Sequence, residues 1–149
     1  MIYYFAYGSN MDETQMKNRC PGAQLVGKAA LHDYALAFTI YSPERKCGCA
    51  DIVPDPTRSV WGLLYAMTLK DLEALDICEG TPVHYRRISV AVVDESETTK
   101  MAEAYEVVSK ASMFQKPSRD YLEKLISAAE KFSFPDAYRI FLESIPTKR

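Results

Sequence analysis

Along the first two thirds of the chain, short runs rich in β-branched and aromatic residues alternate with clusters of turn formers. Seven such runs predict strands, at residues 2–7, 24–30, 34–41, 48–53, 60–67, 84–93 and 102–108. Pro54-Asp55-Pro56-Thr57 and Asp94-Glu95-Ser96-Glu97-Thr98-Thr99-Lys100 are the clearest reversals, the first rigid and the second charged. Together they predict two hairpins. Six or seven short strands with few long loops predict a strongly curved sheet or small barrel, because closing the sheet removes its exposed edges.

Helical spacing interrupts this sheet and finishes it. Asn10 or Asp12 is placed to cap a short helix over residues 13–20, which Pro21-Gly22 ends. Thr68-Leu69-Lys70-Asp71 has the form of a capping box with a shortened acid, opening a helix through about Leu75 and leaving residues 76–82 as a loop. Pro117-Ser118 opens a helix with Leu122, Leu125, Ile126 and Ala129 on one stripe. Pro135 opens another, with Tyr138, Phe141, Leu142 and Ile145 in the same rhythm. These last two helices are expected to form a lid over the sheet and to carry no function. The expected class is α+β: a small mixed β-barrel of about six or seven short strands, with flanking helices and two C-terminal helices.

Composition narrows the picture. A chain of 149 residues, 48% apolar, is expected to form a single domain over 1–149, since a protein of this size buries roughly 68–70% of its unfolded surface around one core. A net charge of −2 gives no basic face for a nucleic-acid partner. The start of the chain has no basic leader, and no apolar run approaches the 18 or so residues of a membrane span. We therefore expect a cytoplasmic protein with no membrane partner. Cys20, Cys47, Cys49 and Cys78 are read as reduced thiols, Cys47-Gly48-Cys49 being too tight for an easy mutual bridge. Adding His32 and His84 matches no usual zinc template, so no metal is expected.

Two places break local rules. In Tyr7-Gly8-Ser9-Asn10 an aromatic strand runs into glycine and two capping residues, which leaves consecutive backbone N–H groups free. Such a turn serves either as a plain N-cap or as a receptor for a carboxylate or developing oxyanion. Glu79 stands beside Gly80 among Leu72, Leu75, Ile77, Val83 and Tyr85, surroundings that would desolvate it and raise its proton affinity. It is then either a solvated loop acid or a general acid/base. His84 is a rival base at neutral pH. Ser9 lacks the Gly-x-Ser-x-Gly elbow and the ordered His and Asp partners of a nucleophile.

Tyr7-Gly8-Ser9-Asn10, Val60-Trp61-Gly62 and Leu75-Asp76-x-x-Glu79-Gly80, in this order and spacing, resemble the γ-glutamylcyclotransferase family. Lys116-Pro117-Ser118-x-x-Tyr121 and Pro135-x-x-Tyr138 resemble its closing helices, so the likeness spans nearly the whole chain. Ala128-Ala129 departs from the family's frequent Gly-Ala pair, a difference of helix packing. The resemblance implies a cofactor-independent enzyme that releases 5-oxoproline from small-molecule γ-glutamyl compounds, including those of glutathione metabolism. It makes Glu79 the general acid/base, Tyr7, Gly8, Ser9 and Asn10 the loop whose amides hold the glutamyl end, and Tyr105 the late-strand tyrosine beside the acid. The Tyr-Gly-Ser-Asn form of the loop resembles enzymes acting on γ-glutamyl amino acids more than those specific for glutathione or γ-glutamyl-ε-lysine.

Such a reaction needs little from a protein. The substrate α-amine is tethered to its own γ-carbonyl, and well-oriented intramolecular attack reaches effective molarities on the order of 10⁵–10⁸ M without a protein nucleophile or metal. What is left is proton traffic, which one desolvated carboxyl can carry. The competing reading is a non-catalytic small-molecule-binding module that keeps the same pocket. The released amine, and whether the chain is monomeric or a homodimer, are not fixed by the sequence.

Overall fold

In the computed structural model, which describes residues 1–148, five strands close into a barrel. They are β1 (Ile2–Ala6), β2 (Gln24–Ser42), β3 (Cys47–Met67), β4 (Tyr85–Asp94) and β5 (Thr99–Val107), arranged in the order β1-β3-β2-β4-β5. Neighbours are antiparallel except β5 and β1, whose parallel contact at Tyr4 and Glu103 closes the ring and makes the barrel mixed.

The strand count differs from the expected six or seven because two strands are long, 19 residues in β2 and 21 in β3. Residues 24–30 and 34–41 form one strand, stepping in register at Asp33, whose φ is 65°. Residues 48–53 and 60–67 likewise belong to one strand. Pro54-Asp55-Pro56-Thr57 is not a hairpin. Pro54 pairs with Tyr34 and Ser59 with His32, and the residues between bow out of the ladder. The Asp55 carboxylate holds this excursion by accepting from the Thr57 N–H at 2.9 Å and hydroxyl at 2.7 Å. Turn-forming composition here makes a bulge, not a reversal. The chain reverses at residues 43–46, where Lys46 has φ 56°. The charged stretch after Asp94 does form a hairpin, joining β4 to β5.

Four α-helices flank the barrel: α1 (Glu13–Arg19), α2 (Leu69–Cys78), α3 (Arg119–Lys131) and α4 (Asp136–Glu143). Asp12 is the cap of α1, accepting from the Thr14 N–H at 3.3 Å. Both halves of the Thr68–Asp71 capping box are present at the start of α2. This helix does not stop near Leu75; it runs to Cys78, so residues 76–78 are its last turn and not a loop. Its end is a Schellman closure. The Gly80 N–H donates to Ile77 O at 3.2 Å, the Thr81 N–H donates to Asp76 O at 3.0 Å, and Gly80 takes the left-handed φ of 66°.

One apolar cluster runs from Phe5, Leu63 and Leu64 of the barrel to Leu72 and Leu75 of α2 and to Leu122 and Leu125 of α3. It fixes where α2 ends and therefore where Glu79 stands. A second constraint delivers α3. Residues 111–116 cross β2 and β3, with the Ala111 N–H on Thr39 O (2.7 Å), the Gln115 N–H on Phe38 O (2.9 Å) and the Gly48 N–H on Lys116 O (2.8 Å). Only glycine fits at position 48, because a Cβ would stand 1.8 Å from Gln115 O. The buried Asp51 carboxylate ties down the same crossing by accepting from Thr39 Oγ1, Lys110 Nζ and the N–H groups of Ile52 and Val107, all at 2.7–2.9 Å.

Candidate active site

β1 ends at Ala6, and the chain leaves the barrel through Tyr7 and Gly8 into a single 3₁₀ turn, Ser9–Met11. That turn's own hydrogen bonds, from the Met11 N–H to Gly8 O and the Asp12 N–H to Ser9 O, are each 3.0 Å. They leave the N–H groups of Gly8, Ser9 and Asn10 unused by the turn, as the sequence predicts. All four residues of the motif line a cavity of about 300 Å³, together with Glu79 and Tyr105. The structure therefore brings the six sequence-predicted site residues to one place.

Glu79 is the C-cap of α2. Its side chain keeps 18% exposure, and its Oε1 lies 3.3 Å from Asn10 Nδ2 and 3.8 Å from Arg19 Nη1. Asn10 is held to this task by both polar atoms of its side chain. Its Oδ1 accepts from Gln15 Nε2 (2.9 Å) and Arg19 Nη1 (3.0 Å), and its Nδ2 also donates to the Tyr4 hydroxyl (2.9 Å). Since Arg19 can only donate, the oxygen of the Asn10 amide must face it and the NH₂ must face Glu79.

Burial pushes the Glu79 carboxyl above its ordinary value, while Arg19, Arg45 and the Asn10 hydrogen bond pull the other way. Burial wins. The negative end of the α2 helix dipole also disfavours a negative charge there. Burial likewise raises the phenols of Tyr4 and Tyr7 well above their ordinary value, so both are neutral donors. The Cys49 thiol on the cavity wall is pushed up to about 11 by burial and stays protonated.

The tyrosines divide between wall and frame. Tyr7 donates to Tyr105 O at 2.6 Å, locking β1 to β5. The Tyr105 ring lines the cavity, but its hydroxyl is engaged by Asp76 Oδ1 at 2.7 Å. Ala50 of β3 is held at both polar atoms: its N–H donates to the Tyr121 hydroxyl (3.0 Å) and its carbonyl accepts from Tyr85 (2.7 Å). Tyr121 comes from α3, so this helix forms part of the cavity wall and is more than the lid its spacing suggests.

The rivals find no support in the geometry. Ser9 Oγ accepts from Gln15 Nε2 at 2.8 Å and Arg45 Nη2 at 3.2 Å, and neither histidine is bonded to it among the described residues. His84 sits at the exposed edge of the cavity, packed over Gly80. His32 pairs with Ser59 outside the cavity. The four cysteines are free, and no cluster of three or more His, Cys, Asp or Glu suited to a metal occurs among the described residues. No helix among them is long and apolar enough to cross a membrane.

Sequence reasoning missed Arg19, Arg45 and Tyr121 as cavity residues, and it does not single out Tyr4 and Tyr85 from the other strand tyrosines, one or two of which it expects at the pocket. The one available signal was the tyrosine count, since six of the ten tyrosines line the cavity.

Fold and site together define a small closed barrel with one desolvated carboxylate in a tyrosine-walled cavity. Comparison with known proteins gives this class a family. The AIG2-like family is matched over residues 59–142. The γ-glutamylcyclotransferases of Bos taurus and Mus musculus are 30% and 28% identical to the chain, each over 95% of it and 77% of the relative. A solved γ-glutamyl cyclotransferase superposes with a TM-score of 0.91 at 27% identity, covering 99% of this chain and 89% of that one. A yeast γ-glutamyl cyclotransferase specific to glutathione shares the fold, with a TM-score of 0.70 at 14% identity, over 95% of this chain and 93% of that one. The chain belongs to the AIG2-like, or γ-glutamylcyclotransferase, family of enzymes.

Proposed function

We propose that the protein cyclises a γ-glutamyl amino acid or γ-glutamyl amine to 5-oxoproline and releases the free amine, with Glu79 as general acid and base. The observation that carries this reading is the Glu79 carboxyl: raised by burial, yet open to the cavity and oriented by Asn10 and Arg19.

In this reading the glutamyl head lies at the cavity floor, its carboxylate on Arg19 and the N–H groups of Gly8, Ser9 and Asn10. Ionised Glu79 takes a proton from the substrate α-ammonium. The freed amine attacks the γ-carbonyl carbon, forming the ring C–N bond, and negative charge builds on the carbonyl oxygen. As the intermediate collapses, the exocyclic C–N bond breaks, protonated Glu79 gives a proton to the departing nitrogen, and the ring nitrogen sheds its second proton, which leaves with the released amine as its ammonium form. A carboxyl of ordinary acidity would be a poor donor at that last step, which is what raising its proton affinity corrects. Positioning supplies the larger part of the acceleration, and the reaction as written uses no cofactor. The cytoplasm, which keeps thiols such as Cys78 reduced, is the compartment this reading assigns.

The test is mass-spectrometric detection of 5-oxoproline from chelator-treated protein incubated with γ-glutamyl amino acids, γ-glutamyl amines and glutathione. We expect product from the wild type and a fall in turnover of about 10²–10⁴-fold in Glu79→Gln, with substrate binding kept. An unchanged rate in the variant removes Glu79 from its role. Binding without product across the panel favours a non-catalytic module instead.

A further inference from the structure

The cavity contains a second guanidinium with no contact to Glu79. Arg19 is accounted for, joined to Asn10 and Glu79 near the floor. Arg45 enters from the reversal between β2 and β3. Its Nη2 donates to Ser9 Oγ at 3.2 Å and Gln15 Oε1 at 2.9 Å, and its guanidinium carbon lies 5.2 Å from the centre of the Tyr121 ring. Both acceptors are neutral, and Arg45 forms no ion pair among the described residues. Lys124, which also reaches Gln15 Oε1 at 3.1 Å, is paired with Asp12 at 3.1 Å. Arg45 is thus a fixed, half-buried cation facing the cavity without an ion-pair partner, its charge felt by Glu79 only at longer range. A planar fork held over an aromatic ring is the donor geometry that suits a carboxylate.

Exposure orders the cavity from floor to rim. Tyr4, Tyr7, Asn10 and Tyr105 are buried, whereas Pro43, Glu44 and Ile77 are exposed. Arg45 adjoins the rim residues Pro43 and Glu44 in sequence and reaches inward to Ser9. A γ-glutamyl compound whose reacting atoms meet Glu79 at the floor must direct its leaving group towards the rim. In an amino-acid leaving group the α-carboxylate lies two bonds beyond the scissile nitrogen, between floor and rim.

We propose that Arg45 is the residue that binds the α-carboxylate of the leaving group, so that discrimination between a leaving group with that carboxylate and one without it depends on this side chain. This inference rests on the reading of Glu79 given above. An amine leaving group would cover Arg45 and offer it no acceptor, which carries a desolvation cost.

The experiment uses a matched pair, γ-glutamylalanine and γ-glutamylethylamide, which differ only in that carboxylate. Wild type is expected to favour the alanine compound by about 10- to 100-fold in kcat/KM, the usual range for a charge-assisted hydrogen bond. Arg45→Met should bring that ratio close to one, mainly through KM, and Arg45→Lys should restore part of it. A purely structural Arg45, holding Ser9 and Gln15, would depress both substrates alike and leave the ratio where it was, which overturns the proposal. Calorimetric titration of both compounds into Glu79→Gln, with and without Arg45→Met, reads the same preference without turnover. A preference there that Arg45→Met abolishes upholds the inference even if no 5-oxoproline forms. Equal affinities for the two compounds overturn it whatever the turnover.

Discussion

The Tyr105 hydroxyl donates to Asp76 Oδ1 across 2.7 Å, and this bond joins β5 to the last turn of α2, three residues before Glu79. Asp76 also meets Arg87 Nε of β4 at 3.3 Å, and its backbone carbonyl accepts the Thr81 N–H that closes the helix end. Side chain and backbone of one residue thereby fix the helix terminus against two strands. The position of the Glu79 carboxyl is set from behind, by groups whose polar atoms are already satisfied.

Tyr105→Phe tests this. The ring stays on the cavity wall and only the hydroxyl's bonds are lost, to Asp76 Oδ1 at 2.7 Å and, more weakly, to Leu72 O at 3.4 Å. Removing one such bond from a buried site costs about 1–2 kcal/mol. We expect a lower midpoint in urea denaturation together with a fall in kcat of about tenfold, because small misplacement of a catalytic group is expensive. A variant with wild-type kcat would show that Glu79 is held without Tyr105.

The proton affinity of Glu79 predicts opposite pH effects on activity and on stability. Burial raises it above the ordinary 4.5, so in the window just above that value the folded state retains a proton that the unfolded chain has lost. The contribution of this group to stability therefore falls as pH rises through the window. Glu79→Gln, which cannot ionise, should gain stability relative to wild type as pH rises above the ordinary carboxylate range. The proposed reaction starts from the ionised form, so the acid limb of kcat/KM should lie above the ordinary carboxylate range. Because Arg19 lowers the Glu79 value, Arg19→Met should move that limb to higher pH. A limb that does not move separates Arg19 electrostatically from Glu79.

Local backbone grammar was what the sequence could disclose. Gly8 with two capping residues marks a strand-to-turn transition, and Glu79 stands beside Gly80 among apolar neighbours, so Tyr7–Asn10 and Glu79 could both be picked out even though the end of α2 at Cys78 could not. Arg19, Arg45, Tyr85 and Tyr121 could not, because α1, the β2–β3 reversal, β4 and α3 meet only through closure of the barrel and the crossing at Gly48. The strand count failed for a related reason. The Pro54–Thr57 run has the composition of a reversal, and only the pairing of Tyr34 with Pro54 and His32 with Ser59 shows that the ladder continues past it.

Gly80→Ala gives the sharpest test of how the helix end serves the site. Gly80 has φ 66°, where a side chain costs about 1–2 kcal/mol, and its added Cβ would stand 2.6 Å from His84 Cδ2. The imidazole is exposed and can rotate away, so the main penalty is backbone strain at the residue following Glu79. That strain is relieved by unwinding the Schellman closure, which releases the N–H groups of Gly80 and Thr81 and turns the Glu79 side chain away from Asn10. We expect a loss of stability of about 1–2 kcal/mol by denaturant titration and a larger proportional loss in kcat than in substrate affinity. Gly80→Asn, whose side chain tolerates the left-handed conformation, should recover much of both. If Ala and Asn behave alike, the left-handed turn is not what positions Glu79, and contact with His84 becomes the controlling interaction.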